Sequence, residues 1–381
     1  MRFKEKPEDF YVEEILKENI IKEKGKYSIY KVLKINMTTY EALQKISNYF
    51  KINPNLINFC GLKDKRSISI QYFSLPNYIN KNFEMENLKG IFMGYTNLLC
   101  SPSLIKYNFF KILLKDIKIK EEIVKRIEEI KIYGLPNYFD HQRFEHAIRY
   151  GKFIFEEILK GNYEEALKIY FLSLPETGRK RVRRFKKIVN KYFGDWSRIL
   201  KYAEGEEEKR ILKFLIKNKD TYSAIFKIGE QKLKFYCESY QSFLWNKTLY
   251  YFLKNLGLKG YRLRHFLNPF FFYINIDENL KERLIKKNFP LPHPDEKEGD
   301  EEFLNMMKNI ERVKYLMNAK NFKNYMIKSK RRGIFIPEEL KYEFKNDSLL
   351  ISFKLPSGSY ATVFLKSLIA YENILKKRSQ L

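Results

Sequence analysis

Asp64 is a single carboxylate set among cations. It lies in Asn58-Phe59-Cys60-Gly61-Leu62-Lys63-Asp64-Lys65-Arg66, flanked by Lys63, Lys65 and Arg66. Opposite charges nearby favour the ionised form of an acid. A carboxylate kept ionised is a candidate nucleophile or base; the plainer alternative is a helix cap or a surface ion pair. A second stretch, Gly134-Leu135-Pro136-Asn137-Tyr138-Phe139-Asp140-His141-Gln142-Arg143-Phe144, follows a Gly/Pro turn signal. Its amides (Asn137, Gln142), aromatic faces (Tyr138, Phe139, Phe144) and guanidinium (Arg143) suit an extruded base. Rings stack on such a base, amides read its edges and Arg holds its phosphate. The alternative is an ordinary turn with core aromatics. A third stretch, Phe353-Lys354-Leu355-Pro356-Ser357-Gly358-Ser359-Tyr360-Ala361-Thr362, puts small residues after a Pro turn, where backbone can approach a ligand closely. Tyr360 projects from it, unless the stretch is only a hairpin-like strand end.

The charge balance says what such a site would attract. The chain has 381 residues, with 73 Lys and Arg against 46 Asp and Glu, a formal net charge of +27. A surplus of that size collects polyanions, nucleic acid first and anionic membrane second. Lys/Glu enrichment from growth at high temperature would also raise the charge, and the two causes can coexist. Three basic runs stand out: Arg179 to Lys187, Lys328 to Arg332, and Lys376 to Arg378. One such run is usually a solvated face, but three together point to a nucleic-acid groove. Cys60, Cys100 and Cys237 are far apart and odd in number, so neither a disulfide framework nor a CxxC metal site is expected. No HExxH, Walker A loop, strand-GxGxxG-helix unit or HxE…PCxxC signature is present. The expectation is therefore no cofactor and no metal. No apolar run reaches the roughly 20 residues that span a bilayer, and no signal-peptide pattern opens the chain. A cytoplasmic, soluble monomer follows as the expectation.

The elements that must position these stretches are legible from periodicity. Phe10 and Val12 alternate with polar neighbours, and Tyr27 to Ile35 continues a strand pattern. Thr38-Thr39-Tyr40-Glu41 is a capping box opening a helix with Leu43, Ile46 and Phe50 at helical spacing. Strands are predicted around Ile68 to Tyr72 and from Leu104 to Leu114, and a helix from about Glu121 to Ile130. The middle is helical over 153–159, 162–172, 206–216, 240–253 and 300–317, with a β-like stretch over 261–276. The acidic segment 294–302 reads as a solvated turn. From Asp347, Leu349, Ile351, Phe353 and Leu355 alternate, and a Lys-rich helix closes the chain. The economical account is one sheet domain built from both ends, with an insertion between.

Taken together, these stretches resemble the TruD family of tRNA pseudouridine synthases. Four anchors carry the resemblance in order: Pro7 to Glu14 (PEDFYVEE); Gly61-Leu62-Lys63-Asp64-Lys65-Arg66 with Gln71; Asn137 to Phe144; and Leu355 to Thr362. The resemblance implies an α+β fold: a pseudouridine synthase catalytic domain with a mixed, largely antiparallel sheet, interrupted by an α/β insertion domain. The bounds expected are 1–152 with 330–381 for the catalytic domain and 153–329 for the insertion. It implies cofactor-free isomerisation of uridine to pseudouridine in tRNA, at the D-arm uridine of position 13. Asp64 matches the family's catalytic aspartate, and Asn137 and Phe139 its active-site Asn and Phe. Tyr360 stands where other members carry an aromatic, and Lys4 matches a basic residue ahead of the PEDF motif. Lys63, Gln142 and Arg143 complete the substrate-binding candidates. Three positions depart from the pattern: Asp140, Glu145 and Tyr107 stand where Gly is usual. The two acids could weaken a phosphate contact or pair with Arg143. The competing class is a non-catalytic RNA-binding protein or chaperone on the same fold, which has no need for Asp64. A metal-dependent nuclease would use a carboxylate cluster that the chain lacks.

Overall fold

The computed structural model describes residues 1–174, 180–265 and 267–378. Chain contacts divide it into two compact units, Met1–Leu135 with Phe335–Leu381, and Pro136–Ile334. Residues 136–152, placed in the catalytic domain by the motif reading, fall in the second unit.

The first unit is built on a nine-stranded sheet. Its main path runs Glu338–Lys345, Ser348–Pro356, Ile105–Leu114, Phe10–Leu16, Ile68–Pro76, Tyr27–Ile35, Leu88–Thr96 and Phe83–Met85, with Asn58–Phe59 paired onto Ile68–Pro76. Alternation along a strand sends successive side chains to opposite faces, and Leu349, Ile351, Phe353 and Leu355 are buried as that period requires. Among the described pairings of this sheet only one is parallel, Phe10–Leu16 against Ile68–Pro76, in the register Tyr11↔Ile68, Val12↔Ser69 and Glu13↔Ile70. The sheet is thus mixed and largely antiparallel.

Helix Thr39–Phe50 covers one face. The Thr38 hydroxyl accepts from the Glu41 amide at 3.1 Å, and the Glu41 carboxylate accepts from the Thr38 amide at 2.7 Å, closing the capping box that its sequence announces. Ala42, Leu43 and Ile46 then pack on Tyr30, Val32, Phe73 and Leu75. Toward the C-terminus, Phe353 meets Phe110 at 5.7 Å and Phe364 of helix Ala361–Arg378 at 4.6 Å. No helix among the described residues is long and apolar enough to cross a membrane.

The second unit is mainly helical around Glu230–Asn255, about 39 Å long at 1.5 Å per residue. Seven consecutive residues, Tyr240 to Asn246, are buried. A helix enclosed on all sides is a central strut and carries no single apolar stripe. Its polar residues bind neighbouring main chain: Gln241 Nε2 donates to Pro292 O at 2.8 Å and Ile327 O at 2.9 Å, and Trp245 Nε1 to Phe289 O at 3.1 Å. This helix begins ten residues before the predicted start at Tyr240. The predicted helix 300–317 is two helices, Glu301–Lys308 and Glu311–Met317. Ile310 turns extended between them and buries its side chain. The β-like stretch is a hairpin of Gly260–Leu263 and Phe270–Tyr273.

The segment 294–302 is largely exposed, as expected of a solvated turn, but Glu296 and Asp300 within it are buried. Asp300 is buried, accepts from the Phe303 amide at 3.1 Å, and takes a bidentate grip from Arg283 at 2.6 and 2.7 Å. Counting charges locally missed this, because Arg283 arrives from another helix. Burial opposes ionisation of Asp300, but Arg283 outweighs it and holds the carboxyl below its ordinary value. A depressed carboxylate contributes stability above its unfolded pKa and loses it as pH falls through the folded value. Asp300→Asn is therefore expected to cost about 3–5 kcal/mol near neutral pH, with the gap to wild type closing in acid. Urea denaturation across pH measures it; a gap independent of pH would contradict the ion-pair account.

Candidate active site

Strand pairing decides what surrounds Asp64. Parallel strands start at the same end of a sheet, so the segments leading into Phe10–Leu16 and Ile68–Pro76 emerge side by side. One carries Lys4 and the other Asp64, and their side chains form an ion pair. Lys4 adopts φ +58°, a left-handed conformation uncommon for a side chain of this size. Its ammonium also sits 3.8 Å from the centroid of the Phe10 ring. Asp64 keeps 24% of its side chain exposed, enough to meet a ligand.

Two of the three cations beside Asp64 in sequence pair with other acids. Lys63 pairs with the buried Glu14 at 2.5 Å, Lys65 pairs with Glu41 at 3.1 Å, and Arg66 is exposed. Lys63, a substrate-ligand candidate by its motif, places its ammonium on an acid inside the sheet. Burial pushes the Glu14 carboxyl up, while Lys63 and the Tyr72 amide, 2.7 Å away, pull it down. Gln71 braces the loop from below. Its Nε2 donates to Gly61 O at 3.0 Å, and its Oε1 accepts from Thr39 Oγ1 at 3.1 Å. Thr39 Oγ1 in turn accepts from the Lys63 amide at 3.1 Å. These contacts give a physical reason for Gln71 in the second anchor. Tyr360, half-buried, follows the turn at Gly358 (φ +86°) and leads into helix Ala361–Arg378.

The second unit gathers Asn137, Phe139 and Arg143. Asn137 is buried; its Nδ2 donates to Arg332 O at 3.2 Å, and its Oδ1 accepts from Arg331 at 2.7 Å. Arg331 Nε also donates to Asn137 O at 2.7 Å. The same guanidinium lies 4.1 Å over the Phe139 ring, whose edge meets Trp245 at 5.6 Å. Asn246 of the central helix clamps Phe139 from both ends of its peptide unit, each bond 2.8 Å. Arg143 bonds Ser242 at 3.0 Å and Glu238 at 3.0 Å. Gln142 is exposed on the single turn His141–Arg143. Tyr138 and Phe144 are core, Tyr138 stacking on Phe270 at 4.4 Å. The unusual acids take other partners than Arg143: Glu145 lies 3.4 Å from His141, and the buried Asp140 3.6 Å from His265.

Arg331 was missed as a site residue. It belongs to the run 328–332, read only as part of a basic groove, and nothing local marks one member of such a run as an inward clamp. Among the described residues, no group of three or more His, Cys, Asp or Glu is placed to hold a metal ion.

A family model described as "tRNA pseudouridine synthase D (TruD)" matches residues 1–259, which include Lys4, Asp64 and the Asn137 motif. The chain belongs to the TruD family. A TruD relative in Methanococcus maripaludis, "Probable tRNA pseudouridine synthase D 1", is 33% identical over 386 residues, covering 96% of this chain and 98% of the relative. The "tRNA pseudouridine synthase D" of Aquifex aeolicus is 30% identical over 389 residues, covering 97% and 98%. These alignments span nearly the whole chain, whereas the family model stops short of the Tyr360 motif. A TruD crystal structure from Methanosarcina mazei superposes with a TM-score of 0.65 at 22% identity, covering 98% of this chain and 93% of that one. At that identity the likeness speaks for the fold. It agrees with the TruD architecture expected from the motifs, a mixed, largely antiparallel sheet in an α+β protein.

The Glu14–Lys63 pair yields a test. Breaking a buried ion pair leaves an uncompensated charge, at about 3–5 kcal/mol. Lys63→Met is expected to lower unfolding free energy by that amount in urea titrations. Adding Glu14→Gln should recover much of it, because Gln keeps an acceptor for the Tyr72 amide. No recovery in the double variant would argue that Lys63 stabilises by another route.

Proposed function

We propose that this protein isomerises uridine to pseudouridine in tRNA, with Asp64 as the catalytic carboxylate and the D-arm uridine at position 13 as the target. The observation that carries this reading is the Lys4–Asp64 pair, in which the segment just ahead of the first TruD motif meets the distant Asp64 motif at one end of the sheet. Asp64 breaks the glycosidic bond, either by attacking the sugar C1′ or by removing a sugar proton. The freed uracil anion turns while held, and C5 bonds to C1′ as the Asp64–C1′ bond breaks, or as Asp64 returns the sugar proton. C5 then loses its proton and N1 gains one, so the product is an isomer of the substrate. That sequence needs a stacking face, hydrogen-bonding groups and exclusion of water, and no cofactor.

The motif positions assign Lys4, Lys63, Asn137, Phe139, Gln142, Arg143 and Tyr360 to the substrate. Gln142 and Tyr360 have side chains open enough to touch RNA. Lys63 and Arg143, committed to Glu14 and Glu238, act by holding their motifs in shape. Base extrusion costs a few kcal/mol, and an aromatic returns about 1–3 kcal/mol by stacking. Phe139 is buried with Arg331 over its ring, whereas Tyr360 is half-buried.

Phosphate contact falls to the helix Lys180–Tyr192. It contains no acid, and Lys180, Arg184, Lys187 and Lys191 are exposed at helical spacing, a stripe about 16 Å long. Phe185 and Val189 fix its other face inward. Of the remaining basic positions in the runs, Arg179 and the side chains of Lys376, Lys377 and Arg378 lie outside the described residues. Arg331 is engaged with Asn137.

The decisive test incubates the protein with unmodified tRNA and maps pseudouridine by carbodiimide-blocked primer extension. Wild type is expected to modify position 13, and Asp64→Asn to leave it unmodified; product persisting undiminished in Asp64→Asn would refute the assignment. Tyr360→Ala is expected to slow turnover by roughly 5- to 150-fold, the equivalent of 1–3 kcal/mol, with melting temperature nearly unchanged. Phe139→Ala should lower both turnover and melting temperature. Replacing Arg184, Lys187 and Lys191 together by Gln should reduce the log–log salt slope of tRNA binding by about 2–3. An unchanged slope would remove this helix from the RNA surface.

A further inference from the structure

Lys34 is a lysine with no exposed surface, at the end of strand Tyr27–Ile35 where that strand pairs with the start of Ile68–Pro76. A buried ammonium is costly unless its donors are satisfied. Here they are aimed at main chain. Nζ donates to Met37 O at 2.6 Å and Asp64 O at 3.0 Å, and a longer 3.5 Å contact reaches Ser69 Oγ. The Asp64 carbonyl also accepts from Ser67 Oγ at 2.8 Å, and the Ser67 and Ser69 hydroxyls are 2.6 Å apart. These bonds have one consistent direction. Ser67 donates to Asp64 O, so Ser69 must donate to Ser67, and Ser69 can only accept from Lys34. All three ammonium protons are thereby committed, two of them to main chain: Asp64 in the active-site loop and Met37 just ahead of helix Thr39–Phe50.

We propose that Lys34 is a positioning residue for the uridine isomerisation, its charged ammonium locking the main chain of Asp64 so that the carboxylate is presented in register with Lys4. The inference rests on the reading of Asp64 as the catalytic carboxylate. Lys34 has no exposed surface, so it acts on the reaction only through the groups it holds. Its ionisation is the lever. The charged groups around it are Asp64 from the loop, Glu41 from the helix start, Glu14 from strand Phe10–Leu16, and Lys63. Burial lowers the ammonium pKa to about 8, with Lys63 acting the same way and the three acids opposing. As pH rises through that value, Lys34 loses a proton. Ser69 is then left without its donor, or one carbonyl is released. The charge assistance that roughly doubles the strength of such bonds is lost as well. Activity should therefore be full below this pKa and fall above it.

The test measures kcat and KM for unmodified tRNA from about pH 6 to about pH 10 at constant salt, with melting temperatures alongside. Wild-type kcat is expected to decline with an apparent pKa near 8, at unchanged KM. Lys34→Met should lose about 100-fold in kcat, the penalty of a reacting group displaced by about 1 Å, keep its KM within about twofold, and lack the alkaline decline. Ser67→Ala, which removes one prop from the same carbonyl, should lose less. A folded Lys34→Met enzyme with wild-type kcat, or one that retains the decline, overturns the proposal. If Lys34→Met does not fold, a flat wild-type profile or full kcat in Ser67→Ala overturns it. The Asp64→Asn product assay separates the two readings. An active Asp64→Asn enzyme refutes the catalytic assignment itself, whereas an inactive one beside a fully active Lys34→Met enzyme refutes only the role of Lys34.

Discussion

The parallel pairing of Phe10–Leu16 with Ile68–Pro76 is the constraint on which the rest of the first unit depends. A strand pair with period-two side chains cannot slip by one residue without exchanging its buried and exposed faces. The register Tyr11↔Ile68 is therefore held by the core on either side. Once it is set, the Lys4 and Asp64 segments must emerge together. The antiparallel strand Tyr27–Ile35 ends at the same level, Ile35 opposite Ile68. It brings Lys34, Met37 and the start of the capped helix to that end. Cation, carboxylate, buried brace and helix start are consequences of one hydrogen-bonding pattern.

Electrostatics at this end of the sheet are organised by position more than by count. A net charge of +27 supplies a long-range attraction for RNA. It says nothing about which cation meets which acid. Lys63 and Glu14 neutralise each other inside the sheet, while Lys4 crosses from another segment to reach Asp64. Buried pairs of this kind are poor sources of net stability, because desolvation offsets the attraction. Their value here is geometric. Each one fixes a backbone segment that an apolar contact, being non-directional, would leave free to slide. Gln71 does the same without charge, spanning Gly61 and Thr39.

The second unit applies the same logic with a helix in place of a sheet. Its central helix contributes Gln241, Ser242 and Asn246 from a fully enclosed stretch. Each of these bonds a loop or turn: Gln241 to Pro292 and Ile327, Ser242 to Arg143 (while donating to Glu238 O of its own helix), Asn246 to Phe139. Buried polar networks that are fully paired specify a single arrangement. Arg331 completes this one by bonding Asn137 and covering Phe139 in a single side chain. The Asn137 motif is thereby presented by backbone that cannot easily move.

Sequence alone determined the elements whose signals are local. The Thr38 capping box, the alternation of Leu349 to Leu355 and the strand after Asp64 follow from hydrogen bonds and periodicities within a few residues, and motif order was enough to point to the TruD family. The burial of Asp300, the split of 300–317 and the partners of Lys63 were beyond its reach. Each depends on a side chain arriving from elsewhere: Arg283 for Asp300, the core for Ile310, Glu14 for Lys63. Asp64 illustrates both halves. Its motif marked it as a candidate carboxylate, but the neighbours credited with keeping it charged were those adjacent in sequence. Tertiary structure brings Lys4 to its carboxylate and Lys34 to its main-chain carbonyl, because strand pairing decides which distant groups meet.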